Sequence, residues 1–102
     1  MKPCVLTSRA ESDLEQAFTY YFDVANLVVA ERFRDEVDAA LRHIAQHPGT
    51  GSTRYARHGD AAPLRFWTLN RFPFAIFYTE HSDHIAVLRV LHQSSDLPRH
   101  LT

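Results

Sequence analysis

Apolar residues recur every three or four positions through the first half of this chain, and at almost every position in short runs near its end. Ala10, Leu14, Ala17, Phe18 and Tyr21 fall on one helical face, with Glu11, Glu15 and Gln16 outside it. Ser8 stands three residues before Glu11, the spacing of a capping box that satisfies free amides at a helix start. This first helix is predicted to end near Asp23 to Ala25. Asn26 is placed to cap a second helix, in which Ala30, Phe33, Val37, Leu41 and Ile44 form one buried stripe. Glu31, Arg34, Asp35, Asp38 and Arg42 cover the other side; the Asp38–Arg42 spacing is favourable and Glu31–Asp35 is like-charged. His47-Pro48-Gly49 ends the helix, since proline cannot continue the ladder and glycine permits the turn. The pattern is a helical hairpin.

Pro3 to Leu6 reads as a short first strand. Thr50 to Pro63 is polar and holds two of the three glycines, so it is predicted as a loop with room for one short extended piece. Three strands follow over residues 64–69, 74–78 and 85–92, joined by Asn70-Arg71-Phe72-Pro73 and His81-Ser82-Asp83. Phe74 to Tyr78 is apolar throughout, as a central strand covered on both faces would be. The tail from Gln93 to Thr102 is polar, and Pro98 breaks any regular run. The order is an α+β layout, with an N-terminal strand and a helical hairpin packed on one face of a small, mainly antiparallel sheet. The other face of the sheet is then open, concave or covered by a partner.

A chain of 102 residues has room for one core, so residues 1–102 are read as a single domain. The 45% hydrophobic share excludes disorder, and a net charge of −1 gives no global positive field for nucleic acid. The charge is unevenly spread, however. Acids dominate from Glu11 to Asp38, while Arg54, Arg57, Arg65, Arg71, Arg89 and Arg99 lie in the second half, so a basic face can form on the sheet side. A single cysteine, no signal-peptide core and no membrane-length apolar run point to a soluble cytoplasmic domain.

Strict alternation puts Ile85, Val87, Arg89 and Leu91 on one side of the last strand, and Ala86, Leu88, Val90 and His92 on the other. Arg65, Trp67 and Leu69 share a side of the first sheet strand. Arg65 and Arg89 are therefore candidates for one patch, with Tyr78 or Phe77 between them. Arginine beside aromatics suits a phosphate, a stacked base or a carboxylate on a protein partner, or each arginine pairs with an acid at a sheet edge. His92 has the near-neutral pKa of a general acid or base, although a histidine at a strand end more often serves structure. His43 and His47 have i, i+4 spacing but no placed third ligand, so no metal site is predicted. Cys4 reads as a core residue. Trp67, Phe72, Phe74, Phe77 and Tyr78 are expected to divide between core and surface. No phosphate loop, nucleophile elbow or paired-carboxylate site is present, and no cofactor is predicted.

Taken in order, several segments resemble the ParE branch of the RelE/ParE toxin superfamily. They are Thr7-Ser8-Arg9-Ala10-Glu11-Ser12-Asp13-Leu14, His47-Pro48-Gly49, Leu64-Arg65, Phe72-Pro73-Phe74-Ala75-Ile76-Phe77-Tyr78, and Ile85-Ala86-Val87-Leu88-Arg89-Val90-Leu91-His92 with Asp96. The resemblance implies the toxin of a type II toxin–antitoxin module that inhibits DNA gyrase without catalysis and is neutralised by a cognate antitoxin. RelE-like members are instead ribosome-dependent mRNA endonucleases; in that reading Arg65, Arg89 and His92 are the residues to suspect. A third reading keeps antitoxin binding without toxicity. Where nuclease members carry a strand arginine this chain has Ala75, which removes a source of transition-state charge stabilisation. The ParE-like tail commonly carries arginines where this chain has His92-Gln93-Ser94-Ser95-Asp96. Expected partner-binding residues are Arg65, Trp67, Tyr78, Arg89 and His92, with neither membrane association nor sequence-specific DNA binding.

Overall fold

The computed structural model describes residues 1–94; Ser95, Asp96, Pro98 and Arg99, which enter the sequence reading, lie outside the described residues. Strand β1 (Cys4–Leu6) leads into helix α1 (Ser8–Val24) and helix α2 (Leu27–Gln46), followed by a short 3-10 turn at Pro48–Thr50. Strands β2 (Arg65–Thr68), β3 (Phe74–Glu80) and β4 (Ile85–His92) complete one sheet in the order β1-β4-β3-β2. β2, β3 and β4 run antiparallel, whereas β1 pairs parallel to β4 with Cys4 opposite Ile85. A parallel neighbour needs a crossover, and the helical hairpin is that crossover. The fold is the expected α+β arrangement.

The start of α1 differs by one residue from the predicted capping box. Thr7, not Ser8, is the N-cap: its Oγ1 accepts from the Ala10 amide at 3.1 Å and donates to the Leu88 carbonyl at 2.9 Å. One hydroxyl thus caps a helix and anchors it to β4, which Ser8, already inside the helix, is not placed to do. Asn26 caps α2 as expected, with Oδ1 accepting from the Val29 amide at 3.0 Å. Asp38 and Arg42 form no ion pair among the described residues.

Two corrections concern the sheet. First, a β-bulge shifts the β3–β4 register: Phe77 faces Arg89 and Tyr78 faces Val87, leaving Leu88 as the extra residue. Strict alternation therefore fails along β4. Ile85, Val87 and also Val90 join the core beneath the helices, while Leu91 lies in a second cluster with Ala75 and Phe77. Second, that other face of the sheet is covered by the chain itself. Tyr55, Leu64 and Phe66 pack on the second cluster, and Ser52 bridges to Phe66 through paired backbone hydrogen bonds of 2.9 Å each.

The main core sits between hairpin and sheet. Phe33 from α2 packs within 5.2–5.4 Å, centroid to centroid, of Tyr21, Phe72 and Phe74. Burying such rings contributes about 1.5–3 kcal/mol each, and this is what holds the hairpin across the strands. The five successive residues Phe74 to Tyr78 are all buried, as their apolar run predicts.

Candidate functional site

The structure separates the residues that alternation placed in one patch. Arg65 lies on β2 and its guanidinium donates to the Gly49 and Gly51 carbonyls at 3.3 and 3.0 Å. Tyr78, its cross-strand neighbour, is fully buried; its hydroxyl donates to the Pro48 carbonyl at 2.8 Å and accepts from the Gly51 amide at 3.0 Å. Both side chains hold the turn that leaves α2. Burial raises the Tyr78 phenol pKa, outweighing the lowering effects of the Gly51 amide and of Arg65. Trp67 is half-buried and stacks on the His43 ring at 4.6 Å. The aromatics do not divide as expected: Phe74, Phe77 and Tyr78 are core, and Trp67 and Phe72 are half-buried.

Arg89, two strands away from Arg65 in the sheet, is held instead by Asp13 of α1. Its Nε and one terminal nitrogen donate to the two carboxylate oxygens at 2.8 and 3.0 Å, and the Val90 amide donates to the same carboxylate at 3.0 Å. The Asp13 hydrogen bonds raise the guanidinium pKa further above its ordinary value. Thr7 and Asp13 therefore latch α1 onto the bulge from two points. Asp13 stood inside the sequence segment that carried the resemblance, yet no spacing rule linked it to Arg89. His92 ends β4 with its ring edge-on to Phe74 at 5.1 Å, and its Nδ1 accepts from the Ser94 amide at 3.0 Å, leaving Nε2 for other contacts.

Arg89 and His92 do share a feature, a cleft of about 390 Å³ between α1 and the end of β4, also lined by Asp13, Gln16 and Tyr20. A shallower depression along α1, lined by Ser12, Glu15, Gln16 and Tyr20, adjoins it. On the opposite flank of α1 lies a groove of about 340 Å³ between the two helices, floored by Leu14, Phe18, Phe33 and Val37. Sequence reasoning missed the exposed apolar residues beside these clefts. Tyr20, Phe22, Val24, Leu27 and Val28 are each roughly half exposed at the tip of the hairpin. Their signal was present as a stretch from Gln16 to Ala30 with Asp23 as its sole charge, a composition unlike the solvated end of a helix pair.

Charge is segregated as the sequence suggested. The hairpin carries eight acids against four arginines, whereas Arg54, Arg57, Arg65 and Arg71 lie in the loop and β2 region. Among the described residues no group of three His, Cys, Asp or Glu side chains could hold a metal ion. His43 and His47 face each other at 5.3 Å without a third ligand. Cys4 is half-buried and its thiol pKa is pushed up by burial, the opposite of what a nucleophile needs. Among the same residues no helix is long and apolar enough to cross a membrane.

The chain is thus an α+β domain in which a two-helix hairpin lies across a β1-β4-β3-β2 sheet, with α1 latched to a bulged β4. It superimposes on a solved structure of the chromosomal ParDE toxin–antitoxin system of P. aeruginosa with a TM-score of 0.72 at 21% identity, covering 90% of this chain and 96% of that one. The family described as ParE toxin of the type II toxin–antitoxin system, parDE, matches residues 4–97, and the chain belongs to that family. It is 28% identical over 107 residues to Toxin ParE1 of Caulobacter vibrioides, with 99% of each protein covered.

Proposed function

We propose that this protein is a cytoplasmic growth inhibitor that acts by binding DNA gyrase rather than by catalysis, and that a cognate antitoxin silences it by direct binding. The observation that supports a non-enzymatic mode is the state of the sheet. Ala75 is 1% exposed where a nuclease of this superfamily would carry a cation, and Tyr78 is buried with its hydroxyl occupied. Arg65 and Arg89 are committed to carbonyls and to Asp13. Phosphodiester cleavage needs free cations and an acid–base pair converging on one phosphate; Arg65 is tied to the turn after α2, outside the cleft that Arg89 and His92 share, and Arg89 is paired with Asp13 there. The choice of gyrase rests on the likeness to the ParE branch.

Partner contact is assigned to the surfaces that remain. Arg89 and His92 line the cleft beside α1, together with Tyr20, Gln16 and the apolar Ala17, Phe74, Val90 and Leu91. Trp67 and Arg65 present half-buried faces at the β2 edge. The antitoxin is assigned to the apolar groove of the hairpin, as a helix laid into a groove. A second reading, a toxin-like domain without toxicity, is favoured by one observation: His92-Gln93-Ser94 supplies no arginine where ParE-like tails commonly do.

The deciding experiment expresses the chain without its antitoxin and assays gyrase supercoiling beside cleavage of ribosome-bound mRNA. Growth arrest with inhibited supercoiling and intact mRNA is expected. Cleaved mRNA with unaffected gyrase would overturn the non-enzymatic reading, and unimpaired growth would favour the silent domain.

A further inference from the structure

The acidic hairpin has a basic counterpart. From Ala39 to Thr79 the chain carries five arginines and three histidines against a single acid, Asp60. The fold gathers three of those arginines along the outer edge of β2. Ser52 pairs with Phe66 through two backbone hydrogen bonds of 2.9 Å, which draws the loop alongside the strand. Arg65 stands next to that bridge on β2, and Arg54 two residues beyond it on the loop. The Arg54 guanidinium lies over the Tyr55 ring at 5.6 Å, and that ring packs on Phe66 at 5.5 Å. Arg57 follows, with its amide donating to the Asp60 carboxylate at 3.1 Å. Arg54 and Arg57 are exposed, and neither is ion-paired among the described residues. Arg65 spends one guanidinium nitrogen on the Gly49 and Gly51 carbonyls and keeps two for other contacts. Two residues further along β2, Trp67 stacks on His43 at 4.6 Å.

Positive charge by itself suits an acidic protein as well as a nucleic acid. The apolar surface separates the two. A protein interface is built around an apolar core, yet the large hydrophobics left exposed among the described residues belong to the N-terminal segment and the hairpin tip. None lies on this edge. Interfaces with nucleic acid are polar and cationic, with aromatic rings beside the strand. We propose that the β2 edge binds the phosphodiester backbone of nucleic acid without sequence preference, through Arg54, Arg57 and Arg65, with Trp67 beside the bound strand. Contacts spread along an edge hold a backbone without converging on one phosphate, so this binding implies no cleavage. The affinity belongs to the edge itself, and the inference is independent of the gyrase reading.

The test titrates the full-length chain into labelled DNA of mixed sequence, single-stranded in one arm and duplex in the other, and follows anisotropy. Trp67 is the only tryptophan in the chain, so quenching of its fluorescence locates the contact at this edge. A dissociation constant of about 10⁻⁴ to 10⁻⁶ M at low salt is expected, with a log–log salt slope of about −2 for single strands and −3 for duplex from three phosphate contacts. The tighter arm identifies the form of backbone taken. Arg54→Gln/Arg57→Gln is expected to weaken binding by about tenfold or more and to flatten the slope by about 2. Arg9→Gln/Arg32→Gln removes the same charge from the hairpin and is expected to change affinity by less than about twofold, since exposed charges beyond a Debye length are screened. Circular dichroism confirms that these exposed substitutions leave the fold intact. Absence of binding to either DNA, or equal weakening by the two double variants, would overturn the inference. So would polyglutamate that displaces DNA at equal charge concentration, which would assign the edge to an acidic protein.

Discussion

Replacing Asp13 by alanine removes one carboxylate and strands three donor nitrogens. The Arg89 guanidinium loses hydrogen bonds of 2.8 and 3.0 Å, and the Val90 amide loses one of 3.0 Å. The side chains are 11% exposed for Asp13 and 19% for Arg89, so neither is screened as a surface pair would be. Removing one member of a buried pair costs about 3–5 kcal/mol, because the other charge is left without compensation. Here the loss is smaller, since the adjoining cleft of about 390 Å³ admits water to the abandoned donors. An expected destabilisation of about 2–3 kcal/mol follows, which lowers the melting temperature by about 10–20 °C for a domain of this size. Arg89→Met is milder, at about 1–2 kcal/mol, because Asp13 keeps the Val90 amide as a partner. The double variant Asp13→Ala/Arg89→Met should be more stable than the sum of the single losses predicts, by about 1 kcal/mol or more. Thermal and urea unfolding of the four proteins measure all these quantities. A melting point within about 3 °C of the parent for Asp13→Ala, or strictly additive single effects, would refute the latch.

Three other expectations come from the same contacts. A methyl group at Gly51 would overlap the Tyr78 hydroxyl and lie 2.9 Å from its Cζ and 3.0 Å from the Phe66 carbonyl oxygen; Gly51→Ala should therefore cost about 1–3 kcal/mol, and Tyr78→Phe should soften that loss in the double variant, a coupling that urea unfolding would detect or exclude. The Tyr78 phenol has its pKa raised in the folded chain by burial, so its contribution is complete below the unfolded value of about 10 and is lost as pH rises through the folded value. Melting temperature should accordingly fall above about pH 10, less so in Tyr78→Phe; if all four tyrosines titrate together near pH 10 while the protein stays folded, the burial account fails. Phe22→Ser, at a half-exposed position, should change stability by less than about 0.5 kcal/mol yet weaken antitoxin binding by about tenfold, and equal affinity in a titration would remove Phe22 from the contact surface.

Much of the fold could be read from the chain because its signals are local. A stripe at helical spacing, Asn26 before α2, His47-Pro48-Gly49 after it and an unbroken apolar β3 each act within a few residues. Backbone geometry converts such spacing directly into faces and ends. The acidic hairpin was equally visible, since charge is counted where it stands. The candidate site was less legible. Arg65 and Arg89 looked like partners because alternation assumes an unbroken pleat, and the extra Leu88 breaks it. Arg89 instead meets Asp13, 76 positions away, and the Tyr78 hydroxyl closes on Gly51 across 27. Only the folded chain makes those pairings, because hydrogen-bond partners at long range leave no period in the sequence. The loop over the far side of the sheet is the same kind of fact: polar by composition, it still lays Tyr55 and Leu64 on Ala75, Phe77 and Leu91. The sequence alone determined which segments are helix and strand and where the negative charge gathers. Tertiary packing decided which arginines are spent on structure, and it shaped the groove and the cleft that flank α1.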